Sequence, residues 1–237
     1  MRIQSVVFDY GSVLAWPPSS ESCGRVAAAA GIPRSVLLER YYRDRSAYDH
    51  GTIDDIEYWR TITEGYPAAQ NLALLRRLAA MDVEIWSDRN EATVGWLPEL
   101  KKAGLVLAVL SNMPESFCDA LERRDRWLDI FDHRIFSGRV RLSKPDPAIY
   151  KLLFEKINDG QRSITPEEVL FLDDLEANVE GARSVGIHAE LYNVFDGGLA
   201  TIAERYSLPL PTELEPPADR RNDFACAPHR QPRDGVN

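Results

Sequence analysis

Two rhythms of apolar residues alternate along this chain. Residues 3–8 form a short apolar run that ends on Asp9 and then meets Tyr10-Gly11-Ser12. That run predicts a first strand, buried on both faces. From Trp16 to Ser87 the rhythm is helical only. Residues 26–30, 36–48, 53–63 and 72–80 carry apolar positions at helical spacing, and no strand pattern interrupts them. Pro17-Pro18 marks the entry to this block, and the exit near residues 88–90 is less sharply marked. Thr52 is the expected N-cap of the third helix, with Asp54 and Asp55 in its first turn.

From residue 91 helix and strand alternate. The pattern predicts helices over 91–103 (stopped by Gly104), 114–123, 148–157, 176–185 (ended by Gly186) and 199–206. Between them it predicts strands over 105–110, 134–136, 169–172 and 187–191. This is the signature of an α/β fold, an open and mainly parallel sheet covered on both sides. The helical block is an insertion after the first strand. The expected division is an α/β core of residues 1–15 and 89–208, a helical insertion of 16–88, and a tail of 209–237. That tail is rich in proline, arginine and acids, poor in aliphatics, and expected to be disordered.

Charge and composition trim the list of functions. The net charge of −9 opposes a general nucleic-acid surface. No apolar run reaches membrane-span length, and the N-terminus enters a strand directly, unlike a signal peptide. The three cysteines show no spacing of a disulfide framework or a zinc site. The expectation is a cytoplasmic protein, monomer or homodimer, acting on a small molecule without nucleic acid or membrane.

In open parallel sheets, ligands bind at the carboxyl ends of the strands. Those ends are polar here: Asp9, then Ser111-Asn112, then Lys144-Pro145 beyond the third strand, then Asp173-Asp174. A carboxylate at the tip of a buried strand is costly unless it is paired, so Asp9 is a candidate for chemistry or metal binding. Such a group can attack phosphorus and form an aspartyl-phosphate. Mg²⁺ is commonly shared between one or two carboxylates and a phosphate. Asp9, Asp173 and Asp174 would supply the carboxylates, Lys144 a fixed positive charge, and Ser111 a hydroxyl donor to the phosphoryl oxygens.

Four segments in this order resemble the haloacid dehalogenase superfamily. They are Phe8-Asp9-Tyr10-Gly11-Ser12-Val13-Leu14, Leu110-Ser111-Asn112, Lys144-Pro145-Asp146-Pro147, and Phe171-Leu172-Asp173-Asp174 with Asn178, Gly181 and Gly186. The resemblance covers residues 1–206 and makes the helical insertion an α-helical cap. It implies Asp9 as nucleophile and metal ligand, Mg²⁺ as cofactor, and Asp174 as a second ligand. Asp173 would bind the metal or a water on it, and the Gly11 carbonyl would be a further ligand. Ser111 and Lys144 would grip the phosphoryl group, with Asn112 supporting them. The implied activity is Mg²⁺-dependent hydrolysis of a phosphate monoester.

One position departs from the pattern. Most phosphatases of this superfamily carry an acid/base aspartate two residues after the nucleophile, where this chain has Gly11. General acid catalysis is typically worth about 10²–10⁴-fold. Either the protein is catalytically weak, or its leaving group needs little protonation, as in a sugar 1-phosphate. The Asp-x-Gly first motif and Asp-Asp fourth motif are similar to those of a bacterial subgroup that includes hexose 1-phosphate phosphatases. A metal-independent 2-haloacid dehalogenase uses the same nucleophile but loses the fourth-motif acids, which this chain retains. A phosphomutase fits less well without the acid. In the insertion, Tyr41, Tyr42, Arg43, Arg45, Tyr48, His50 and Trp59 combine aromatics and cations. Helix packing and a solvated basic face account for them better than sugar and phosphate binding does.

Overall fold

A computed structural model describes residues 2–158, 162–195 and 198–212. Five strands form one parallel sheet: β1 (Ser5–Phe8), β2 (Val106–Ser111), β3 (His133–Phe136), β4 (Val169–Asp173) and β5 (His188–Leu191), in the order β3-β2-β1-β4-β5. In chain order the helices are α1 (Ser20–Ala30), α2 (Arg34–Arg43), α3 (Arg45–His50), α4 (Asp55–Ile62), α5 (Leu72–Ile85), α6 (Glu91–Lys102), α7 (Glu115–Arg124), α8 (Ser137–Val140), α9 (Pro147–Ile157), α10 (Glu176–Arg183) and α11 (Leu199–Arg205). The α/β fold with a helical insertion is as the sequence predicts. Among the described residues no helix is long and apolar enough to cross a membrane.

Every residue of β1, β2 and β4 is buried. Their alternation sorts side chains into two layers. Val6, Phe8, Leu107, Val109, Leu170 and Leu172 pack with residues of α6, α7 and α11. Val7, Ala108, Leu110 and Phe171 pack with residues of α9 and α10. Both faces are therefore covered, which is why these strands read as unbroken apolar runs. Phe8 pairs with Val109 on one side and Leu172 on the other. The register thus brings the carboxyl ends of β1, β2 and β4 side by side, at the point where the strand order reverses.

The insertion has a core of its own, including Val26, Leu37, Tyr41, Tyr58, Trp59, Ile62, Leu75 and Leu78. Its entering and leaving chains run together: Trp16 N–H donates to the Asp88 carbonyl at 2.7 Å, and Asn90 N–H to the Leu14 carbonyl at 2.8 Å.

Several element boundaries differ from the sequence expectation. The helix expected over 36–48 breaks at Asp44, which leaves α2 and α3 as separate segments. Asp54, not Thr52, caps α4, accepting from Glu57 N–H at 2.8 Å. Helix α1 begins six residues before the apolar pattern does, on a Ser19 side-chain cap, and α5 continues five residues beyond it. Of the tail expected to be disordered, residues 213–237 lie outside the described residues. Its first residue is anchored, because the Pro209 carbonyl accepts from Trp96 Nε1 at 2.6 Å.

Candidate active site

Asp9 follows β1, with its own N–H donating to the Leu172 carbonyl of β4 at 2.9 Å. Ser111 ends β2, and its hydroxyl lies near enough to the Asp9 carboxylate to favour its charged form. Asp173 ends β4 and Asp174 follows it. One oxygen from each of Asp9, Asp173 and Asp174 lies within 4.8 Å of the others.

Lys144 stands between the two carboxylates that are buried. Its ammonium lies 2.8 Å from Asp9 Oδ1 and 2.6 Å from Asp173 Oδ2, with the side chain wholly inaccessible to solvent. Burial alone would push this ammonium down, yet Asp173 and Asp9 outweigh it and hold it above its ordinary value. The lysine is charged, and its stem and head are both fixed. Asn112 clasps its main chain, accepting from Lys144 N–H and donating to the Lys144 carbonyl, both at 2.9 Å. Behind it, Gly181 of α10 lets Pro145 come close, since a Cβ there would lie 2.7 Å from the Pro145 carbonyl oxygen.

Asp173 is fully supplied with donors. Besides Lys144, its oxygens accept from Leu175 N–H at 2.9 Å and from Asn178 Nδ2 at 2.9 and 3.1 Å. Asp174 is not: it accepts from Ser12, and burial beside Asp9 and Asp173 raises its carboxyl well above the ordinary range. Burial also raises Asp9, which Lys144 opposes and Asp173 reinforces. One lysine cannot neutralise three clustered carboxylates. Carboxylate oxygens left without a countercharge are a donor set that could hold a divalent cation. The loop that carries Gly11 is tight, with Ser12 in the left-handed region at φ 57°.

A cavity of about 450 Å³ opens over this cluster. The core lines it with Asp9, Gly11, Ser111, Asn112, Lys144 and Asp174, and the insertion with Tyr42, Arg45, Asp49 and Trp86. So every site residue named from the sequence reaches one place, except that Asp173 lies beneath the cavity and supports it. Of the aromatic and basic residues singled out in the insertion, Tyr42 and Arg45 line the cavity. Tyr41, Tyr48 and Trp59 are buried in the insertion's core, and Arg43 is exposed. His50 ends α3 and bonds Ser143, the neighbour of Lys144, through Nδ1 at 2.9 Å.

Sequence reasoning missed Asn178 as the anchor of Asp173, and it missed Asp49 and Trp86 altogether. Asp49 carried a signal, standing four residues after Arg45 in a helical pair. Trp86 carried none. Its indole lies against Gly11, where an added Cβ would sit 3.1 Å from Cζ3. Trp86 Nε1 donates to Tyr41 at 2.9 Å, which fixes the ring.

A parallel sheet with paired aspartates, a serine and a lysine at its carboxyl edge defines a hydrolase architecture with an inserted helical unit. The haloacid dehalogenase-like hydrolase family model matches residues 3–186, and the chain belongs to that family. It is 33% identical over 224 residues to a phosphorylated carbohydrates phosphatase of Thermotoga maritima, covering 90% of this chain and 96% of that protein. A phosphatase of Mycobacterium tuberculosis is 28% identical over 213 residues, covering 81% of this chain and 88% of that one. Among solved structures, a family enzyme from Bacteroides thetaiotaomicron in complex with magnesium and inorganic phosphate superposes with a TM-score of 0.65. It is 22% identical and covers 81% of this chain and 95% of that one, which bears on the fold alone.

Proposed function

We propose that this protein is a Mg²⁺-dependent phosphatase of small phosphate monoesters that works through an aspartyl-phosphate on Asp9. The observation that carries the reading is the buried Lys144 shared by Asp9 and Asp173, with Asp174 beside them lacking a countercharge. Asp9 attacks phosphorus. Lys144 and the Ser111 hydroxyl hold the phosphoryl oxygens and balance the charge that spreads over them. Mg²⁺ would be held by Asp9, Asp174 and the Gly11 carbonyl. Once bound, it neutralises the excess carboxylate charge and draws electron density from the phosphoryl group. Asp173, with its oxygens already occupied, anchors Lys144 and faces the metal site from below. Asn112 spends both ends of its amide on Lys144, so its part is to position that lysine more than to touch substrate.

Residues 16–88 serve as the cap and residues 1–15 with 89–208 as the catalytic core. The separate apolar cluster and the paired crossover chains support this division. The cap meets the core beside the cavity. Ser137 Oγ donates to the Asp49 carbonyl at 2.5 Å, and Arg141 donates to the Gly51 carbonyl. Gly51 has φ 77°, and any side chain there would collide with Arg141.

Phosphorylated carbohydrates are the favoured substrates, by similarity to the Thermotoga relative. A 2-haloacid dehalogenase reading is disfavoured by charge. The substrate carboxylate would enter a cavity that holds three aspartates, and the one arginine of the cap wall is already paired with acids. The deciding experiment is a screen of sugar 1-phosphates, sugar 6-phosphates and a 2-haloacid, each with Mg²⁺ and with EDTA. Phosphate release that requires Mg²⁺ is expected. Halide release in EDTA, with no phosphate from any ester, would reverse the assignment.

Asp174→Asn removes a half-buried, poorly compensated charge. In EDTA it should melt higher than the wild type, because the repulsion from Asp9 and Asp173 is gone. Added Mg²⁺ should raise the melting temperature of the wild type, by ligand linkage, and leave the variant where it was. A variant that melts lower in EDTA, or still responds to Mg²⁺, would mean that Asp174 is not the ligand.

A further inference from the structure

Protonation of the leaving oxygen needs an acid, and Gly11 cannot supply one. The space beside Gly11 is also taken, since the Trp86 ring covers it. The carboxyl groups that line the cavity are Asp9, Asp49 and Asp174. The first and third are spoken for by the reading above, which leaves Asp49.

The fold holds Asp49 in a fixed place on the cap side. It is the penultimate residue of α3, and its carbonyl is bonded to Ser137 of the core. Its neighbour His50 is bonded to Ser143, next to Lys144. The carboxylate accepts from Arg45 Nε at 2.8 Å through Oδ1, and Oδ2 makes no hydrogen bond among the described residues. Arg45 is also divided. It contacts Asp82 of α5 at 3.1 Å and lies over the rings of Tyr41, Tyr48 and Tyr58. Asp82 has the Tyr41 hydroxyl as a further donor. One guanidinium facing two carboxylates leaves room for a proton, and Asp49 is the one of the pair that reaches the cavity.

On the phosphatase reading, we propose that Asp49 is the acid that protonates the leaving oxygen, delivered from the cap in place of the side chain missing at position 11. As an Asp9 oxygen bonds phosphorus, the ester P–O bond breaks. Its electron pair stays on the leaving oxygen, which takes the Asp49 proton and departs as an alcohol. In the second half, water gives a proton to the Asp49 carboxylate as its oxygen bonds phosphorus. The P–O bond to Asp9 then breaks, which returns the Asp9 carboxylate, the Asp49 acid and inorganic phosphate. Burial, reinforced by Asp82 and Asp9 and opposed by Arg45, pushes the Asp49 carboxyl up to about 7, where both forms are populated near neutrality. Tyr42 lines the same cavity, but burial raises its hydroxyl far above that range.

The test compares an alkyl phosphate, glycerol phosphate, with p-nitrophenyl phosphate, whose leaving group needs little protonation. Both are measured with the wild type, Asp49→Asn and Asp49→Glu at saturating Mg²⁺. Asn keeps the acceptor for Arg45 but cannot give a proton. Asp49→Asn should lose about 10²-fold or more in kcat/KM on the alkyl ester. Its loss on the aryl ester should be at least tenfold smaller, and Asp49→Glu should recover part of the alkyl activity. Equal losses on the two esters, or no loss on the alkyl ester, would overturn the assignment. A second arm needs no variant: over a series of esters the wild-type rate should vary only weakly with leaving-group acidity, and a steep dependence refutes an internal acid. A wild type that hydrolyses none of these esters would instead bring down the phosphatase reading itself.

Discussion

Lys144→Met is expected to unfold the protein more readily than any other single change at the site. The substitution keeps the length and apolar stem of the side chain, so packing is nearly conserved. What disappears is the only cation in contact with Asp9 and Asp173 among the described residues. Asp173 is completely buried and Asp9 almost so. Removing one partner of a buried ion pair typically costs about 3–5 kcal/mol, because the remaining charge is left uncompensated. For a domain of this size that is a fall in melting temperature of roughly 10 °C. Differential scanning calorimetry in EDTA measures it. A melting point within about 2 °C of the wild type would mean that the lysine does not bear the charge balance described above. Mg²⁺ should restore part of the loss by taking over the countercharge for Asp9 and Asp174, and none of it for Asp173.

Asp9→Asn should separate stability from activity. An amide oxygen is too weak a nucleophile to attack phosphorus, so turnover of every phosphate ester should fall on the order of 10⁶-fold, the usual effect of deleting a hydrolase nucleophile. Yet the fold should not suffer. Burial raises the Asp9 carboxyl overall despite Lys144, so its charge is a net cost to the metal-free protein. The variant should melt at or above the wild-type temperature in EDTA, with Lys144 still held by Asp173. Phosphate release and calorimetry on the same preparation check both halves. Turnover above a few per cent of wild type would remove Asp9 from the role of nucleophile. A large drop in melting temperature would show that its charge supports the fold.

The sheet was legible because its strands are buried on both faces. Runs such as Val106 to Leu110 and Val169 to Leu172 have nowhere else to go, and each ends on a polar residue that only a site can use. The pattern of the insertion showed helices but not their breaks. Nothing in the apolar spacing of residues 36–48 marks Asp44, and that break separates α2 from the short helix that carries Arg45 and Asp49. Thr52 and Asp54 are both good caps, and local preference could not choose between them.

The sequence by itself determined the α/β core with its helical insertion, and the set of core residues that converge: Asp9, Ser111, Asn112, Lys144, Asp173 and Asp174. It could do so because strand periodicity places each strand's last residue at one edge of the sheet, whatever the details of packing. Only the tertiary structure decided how these groups divide the work. Asp173 is saturated by Lys144, Leu175 and Asn178, whereas Asp174 is left short of donors. It also decided that the space beside Gly11 belongs to Trp86 and that Asp49 faces the cavity. Those outcomes depend on contacts between distant segments, such as Lys144 with Asp173, 29 residues apart, and Ser137 with Asp49, 88 residues apart, which no local pattern encodes.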